Sequence, residues 1–113
     1  MKIEAQLLKG VAPTVVLEIL SRGAMYGYEL SEAISKRSGE VLTLGKGTLY
    51  PLLYNLEAKS LVKSYWQSAD TGRERKYYEI TGKGKELLAA QKQQLGDLYA
   101  GLKLVFGAGF VPA

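Results

Sequence analysis

At 113 residues and 12.4 kDa the chain is sized for one domain with one hydrophobic core, and 47% hydrophobic against 23% charged residues is the composition of a protein that folds. It has no cysteine and no histidine, which excludes disulfides, thiolate and imidazole metal sites, and the nucleophiles and near-neutral bases those residues supply. Fifteen Lys and Arg against eleven Asp and Glu give a net charge of +4, a modest excess whose meaning depends on where the cations fall.

No apolar run approaches the ~20 residues that span a bilayer. The segment MKIEAQLLKG places an acid and polar residues where a secretion signal is continuously apolar, so a cytoplasmic protein with no membrane partner is expected. From Leu7 to Leu20 the residues Leu7, Leu8, Val11, Val15, Val16, Ile19 and Leu20 recur at spacings of three and four, the stripe of an amphipathic helix. Pro13 removes a backbone donor in its middle, so either the helix kinks or a second segment starts there. Arg22 and Gly23 close it. After a turn at Gly23-Ala24-Met25, a second helix is predicted from about Tyr26 to Lys36, with Leu30, Ala33 and Ile34 facing a core and Ser38-Gly39 ending it. Val41, Leu42 and Leu44 form a short extended linker, Gly45 to Gly47 a turn, and a third helix runs from about Thr48 to Lys59.

Leu61 to Trp66 is rich in β-branched and aromatic residues and reads as a strand. Turn residues Ser68 to Gly72 separate it from a second strand, Arg75 to Ile80, so the pair forms a hairpin. Thr81 is a good N-cap for a last helix from about Gly82 to Phe106. Within that helix Leu88, Gln91, Leu95, Leu98, Leu102 and Val105 form a heptad seam with one polar member. At about 1.5 Å per residue it is longer than a small domain covers by itself, which predicts a partner helix and makes Leu88, Leu95, Leu98, Leu102 and Val105 the dimerisation residues of a homodimer. The expected fold class is α+β, mostly α: a winged helix-turn-helix over residues 1–80, a C-terminal dimerisation helix over 81–106 and a frayed tail over 107–113.

Two surfaces point to double-stranded DNA. At ~100° per residue the third helix gathers Leu49, Leu52, Leu53 and Leu56 on one face and turns Gly47, Tyr50, Pro51, Tyr54 and Asn55 to solvent. Hydroxyl and amide groups on such a helix meet base edges in a major groove, and Lys46 and Thr48 at its start suit phosphate. In the hairpin, Arg73, Arg75 and Lys76 crowd cations onto the second limb, where they reach phosphates or a minor groove. The competing reading for each tyrosine is packing against the wing or the first helix, and for the hairpin a solvated turn with Glu74 paired to a neighbour.

Three stretches, Tyr26-Gly27-Tyr28-Glu29-Leu30, Gly47 to Glu57, and Arg75 to Gly84, resemble the PadR family in order and spacing. The resemblance covers about Leu7 to Leu88 and fits the subgroup with a single terminal helix. It implies a homodimeric winged-helix repressor that binds operator DNA and is often released by a small aromatic ligand. It assigns Thr48, Tyr50 and Tyr54 to the recognition helix, Arg73, Arg75 and Lys76 to the wing, and Tyr26, Tyr28 and Glu29 to the helix before the recognition helix. Pro13, Ser60 in place of a usual glycine, and Glu74 in place of a frequent proline depart from the pattern. Trp66 is the candidate for stacking on an aromatic effector, against the plainer role of a rim residue. No cofactor is expected. Glu29, Glu32, Glu57 and Asp70 fall in separate elements without paired spacing, so an enzyme is not expected. The rival is a winged-helix protein-interaction or architectural module without operator binding, whose third helix would carry an acidic or apolar outer face.

Overall fold

The computed structural model describes residues 3–110. Its elements are α1 (Ala5–Leu20), β1 (Met25–Tyr26), α2 (Gly27–Arg37), α3 (Lys46–Ala58), β2 (Val62–Ser68), β3 (Glu74–Ile80) and α4 (Gly82–Phe106). β2 and β3 form an antiparallel hairpin in the register Val62 to Ile80 and Ser68 to Glu74, and β1 pairs on the other side of β3, giving the order β1-β3-β2. The α+β architecture is that of a winged helix, with the hairpin as wing.

The helices of the helix-turn-helix bury one stripe each. Leu17 and Leu20 of α1, Leu30 and Ile34 of α2, and Leu49 and Leu53 of α3 are almost fully enclosed, and Val62, Tyr78 and Ile80 close the core from the sheet. Each such aliphatic side chain is worth about 1.5–3 kcal/mol over its exposed state. α1 runs unbroken through Pro13, so the proline neither ends the helix nor starts a new one. The lost donor is the one that would reach the carbonyl of Lys9, one turn back on a helix held in place by its buried stripe. α3 starts two residues before Thr48, because Gly45 takes an extended conformation and serves as the N-cap, drawing Lys46 and Gly47 out of the expected turn and into the helix.

α3 ends where Lys59 caps and Ser60 turns left-handed at φ 62. The amide of Ser60 donates to the carbonyl of Glu57 and that of Leu61 to the carbonyl of Leu56, both at 2.9 Å, so the backbone reverses in a Schellman motif. That explains the usual glycine here: a side chain in the left-handed region costs roughly 1–2 kcal/mol. Ser60→Gly is expected to raise stability by about 0.5–1 kcal/mol and the melting temperature by several degrees, read by thermal circular dichroism. An unchanged or lower midpoint would show that Ser60 is not strained.

α4 divides into two halves. Its first turn is capped by Thr81, whose hydroxyl accepts from the Gly84 amide at 3.0 Å. Leu88 belongs to the chain's own core with 7% exposure, which corrects its expected place in a partner-facing seam. Gln91, the polar seam position, accepts a hydrogen bond from the Thr14 hydroxyl of α1. Lys92 reaches Glu18 of α1 at 2.8 Å, with Arg22 at 3.3 Å on the same carboxylate, and the Lys92 hydrogen bond foremost holds Glu18 below its usual pKa. Past Lys92 the helix projects, drawing the molecule out to 54 × 29 × 22 Å. Leu98, Tyr99, Leu104, Val105 and Phe106 are exposed on it, while Leu95 and Leu102 are half-buried. In the first part of the expected frayed tail, glycines at positive φ, 107 and 109, bring Phe110 onto Phe106 at 5.0 Å and beside Tyr99 at 6.4 Å. The remainder of that tail, 111–113, lies outside the described residues.

Candidate nucleic-acid interface

The outward side of α3 splits into three strips. Leu49, Leu53 and Leu56 face the core, with Leu52 half-buried beside them, as the leucine spacing predicts. Thr48, Pro51 and Asn55 look toward α1 and, with Leu8, Ala12 and Pro13, line a mainly apolar groove of about 520 Å³. Lys46, Tyr50 and Tyr54 lie away from that groove, and Tyr54, at 76% exposure, is the most open aromatic side chain of the helix. The residues expected to read DNA are therefore all exposed, but Thr48, Pro51 and Asn55 flank a groove while Lys46 and Tyr54 stand clear of it.

Tyr50 has a different situation. It is 44% exposed, yet the end of its ring rests on the backbone of Gly27 at the start of α2: a β-carbon built on Gly27 would fall 2.4 Å from the Tyr50 hydroxyl oxygen and 2.8 Å from Cζ. The competing reading for this residue was packing against the wing or the first helix; its ring instead meets the start of the second helix, α2. On the inner side of the sheet, burial pushes the Tyr78 phenol above its usual pKa, and the Glu57 carboxylate and Tyr50 add to the rise.

The wing's cations differ in freedom. Arg73 is exposed in the loop beyond Gly72. Arg75 is half-buried with its guanidinium 4.4 Å from the centre of the Tyr26 ring. Lys76 lies 3.9 Å from Glu57 of α3 and 5.7 Å from the Tyr78 ring, tying the hairpin to α3. Glu57 also accepts from the Ser64 hydroxyl of β2. Lys76 is thus a partly neutralised charge, whereas Glu74, which the competing reading of a solvated turn paired to a neighbour, makes no ion pair among the described residues. Trp66 sits across the hairpin from Lys76 at 64% exposure, and none of the ring pairs found among the described residues includes it.

An alternation in the hairpin carries residues that sequence reading passed over. Tyr77 of β3 stacks on Tyr65 of β2 at 5.8 Å and meets Tyr26 of β1 edge-on at 5.5 Å, so the outer face of the sheet is a tyrosine row ending at Arg75. The period-2 placement of Arg75 and Tyr77 was visible in the sequence, but Tyr26 joins them only through a two-residue strand.

A family model described as the transcriptional regulator PadR-like family matches residues 16–90 of this chain, from the second half of α1 through the docked half of α4. The chain belongs to the PadR-like family of transcriptional regulators. Among solved structures, a PadR-like transcriptional regulator of Bacillus cereus superposes with a TM-score of 0.80 at 34% identity, covering 92% of this chain and 99% of that one. A PadR family transcription regulator of Clostridium difficile gives 0.77 at 30% identity, over 86% and 99% of the two chains. An "uncharacterized protein X" of Lysinibacillus sphaericus is 29% identical over 103 residues, 86% of this chain and 94% of that protein. As a PadR-like regulator the chain is a transcription factor and not an enzyme. None of its helices among the described residues is long and apolar enough to cross a membrane.

Proposed function

We propose that this regulator acts in the cytoplasm as a homodimer that binds double-stranded operator DNA sequence-specifically and represses transcription, with a small aromatic ligand releasing it. The observation that carries the reading is the presence on one molecule of a largely exposed Tyr54 on α3 and an exposed wing cation, Arg73, that makes no ion pair among the described residues. Tyr54 and Asn55 present hydroxyl and amide groups for base edges, Lys46 and Thr48 sit at a helix start suited to phosphate, and Pro51 and Tyr50 shape the surface between them. Arg73, Arg75 and Lys76 supply phosphate contacts in decreasing order of freedom. The exposed apolar end of α4, Leu98, Tyr99, Leu104, Val105 and Phe106, is what a second copy would cover. Trp66, open on the wing, is the residue proposed to stack on the aromatic effector.

Fluorescence anisotropy on a duplex selected from the source genome, at two salt concentrations, tests this. Affinity is expected to fall steeply with salt, since each neutralised phosphate contributes a slope of about 0.9. Arg73→Ala is expected to weaken binding to all duplexes alike and to lower that slope by about 1, whereas Tyr54→Ala changes the ranking of sequences, costing about 1–3 kcal/mol at its base pair. No binding to any genomic fragment would instead favour the protein-interaction module.

A further inference from the structure

The DNA-binding surface is assembled from two pieces that do not touch through their tips: the wing cation Arg75 on β3 and the tyrosines of α3. Each meets one of two residues adjacent in the chain. Tyr26 lies under the Arg75 guanidinium at 4.4 Å, and Gly27, next in the chain, receives the end of Tyr50. Tyr26 is the last residue of β1 and the N-cap of α2, with its amide donating to Glu29 at 3.3 Å, so it belongs at once to the sheet and to the helix-turn-helix. Its ring also meets Tyr77 edge-on at 5.5 Å, and Tyr77 in turn stacks on Tyr65.

We propose that Tyr26 and Gly27 are positioning residues for DNA recognition: Tyr26 holds Arg75 in a defined orientation, and Gly27 sets how closely the recognition helix lies against α2 through Tyr50. This deepens the reading of the chain as a DNA-binding regulator and depends on it.

The chemistry of each contact fits the role. A guanidinium stacked face-on to an aromatic ring keeps its in-plane N–H groups free, so stacking restrains Arg75 without consuming the donors that grip a phosphate. Ordering a long side chain in advance removes an entropy cost from binding. At Gly27 the absent side chain is the functional feature. Any β-carbon overlaps the Tyr50 hydroxyl, Cζ and Cε1, the last at 2.9 Å, and the phenol is a rigid plate that escapes only by turning outward or by carrying α3 away from α2. The first takes the Tyr50 ring off its seat and re-aims it on the outer face of α3, and the second displaces α3 relative to α2 and the wing.

The test uses the full chain on a selected duplex and on a scrambled one, with circular dichroism to check the fold. Tyr26→Leu is expected to lower affinity for both duplexes roughly tenfold and to reduce the salt slope by about 1, as removal of Arg75 itself does, while Tyr26→Phe, which keeps the ring, stays within about twofold of the parent. Arg75→Ala combined with Tyr26→Leu should bind no worse than Arg75→Ala alone. Gly27→Ala is expected to lower the ratio of specific to scrambled binding roughly tenfold or more, and Gly27→Ala with Tyr50→Leu to match Tyr50→Leu alone, because the overlap has gone. Should Gly27→Ala fail to fold, the Tyr26 series decides. Tyr26→Leu with the parental salt slope, or additive effects of Tyr26 and Arg75, overturns the proposal. Failure of the parent chain to bind any duplex overturns the DNA-binding reading itself.

Discussion

Replacing Leu98 and Val105 together by glutamate is expected to yield a folded monomer whose operator affinity is at least a hundredfold below that of the parent. Leu98 is 55% and Val105 78% exposed within one chain, so neither supports the fold of its own subunit. The docked half of α4, with Leu88 in the core, Gln91 on Thr14 and Lys92 on Glu18, stays in place. In a dimer these two side chains lie on the stripe that a second copy covers, and burying an aliphatic side chain is worth about 1.5–3 kcal/mol. Two glutamates therefore remove several kcal/mol of association and would leave unpaired buried charges in any dimer that persisted. The effect on DNA follows from geometry. A two-fold dimer sets its recognition helices about 34–36 Å apart, one turn of duplex, and a monomer engages a single half-site. Light scattering reports the mass, anisotropy the affinity, and circular dichroism the retained helix. A variant that remains dimeric and binds as the parent does moves the assembly surface to α1, around the exposed Leu7.

Long periodic signals carried most of the fold in the sequence. The strand pair, the Thr81 cap and the span of α4 follow from β-branched and aromatic runs, a capping residue and a sustained heptad. β1 was not legible because two residues have no period, and they become a strand only by pairing with Tyr77 and Tyr78, some fifty positions on. The seam of α4 was legible as one stripe, but its division was not: Leu88 is in the chain's own core and Leu98 is exposed, and periodicity reads the two alike. At the candidate site the angular argument separated buried leucines from outward tyrosines on α3. It did not distinguish Tyr54, open to solvent, from Tyr50, seated on a glycine of another helix, because that seat is a tertiary contact between a side chain and a residue with none. The pairing of Lys76 with Glu57 was hidden for the same reason, since strand and helix meet only in the fold.

The largest loss of stability from a single methyl group is expected at Gly84. This glycine lies in the first turn of α4, where its amide donates to the Thr81 hydroxyl at 3.0 Å and the same hydroxyl donates to the Ser60 carbonyl at 2.7 Å. The Thr81 amide donates in turn to the Leu61 carbonyl at 3.1 Å, so the start of the helix is bound to the backbone that links α3 to β2. A β-carbon on Gly84 would fall 2.2 Å from the Leu61 carbonyl oxygen and 2.7 Å from Cγ1 of Ile80. The first of these is backbone that already holds a hydrogen bond, and the second belongs to a core residue with 7% exposure, so no flexible side-chain end is available to yield. Relief requires α4 to back away, which loosens the Thr81 cap and the burial of Leu88 one turn later. Overpacking of this kind costs about 1–3 kcal/mol, and with a strained cap Gly84→Ala belongs at the top of that range. A fall of roughly 10–15 °C in the melting midpoint is expected. Gly82→Ala is the matched control: it lies in the same turn and its β-carbon meets nothing within 4 Å, so it is expected to melt within a few degrees of the parent. If Gly84→Ala melts with that control, α4 is not seated against Leu61 as described.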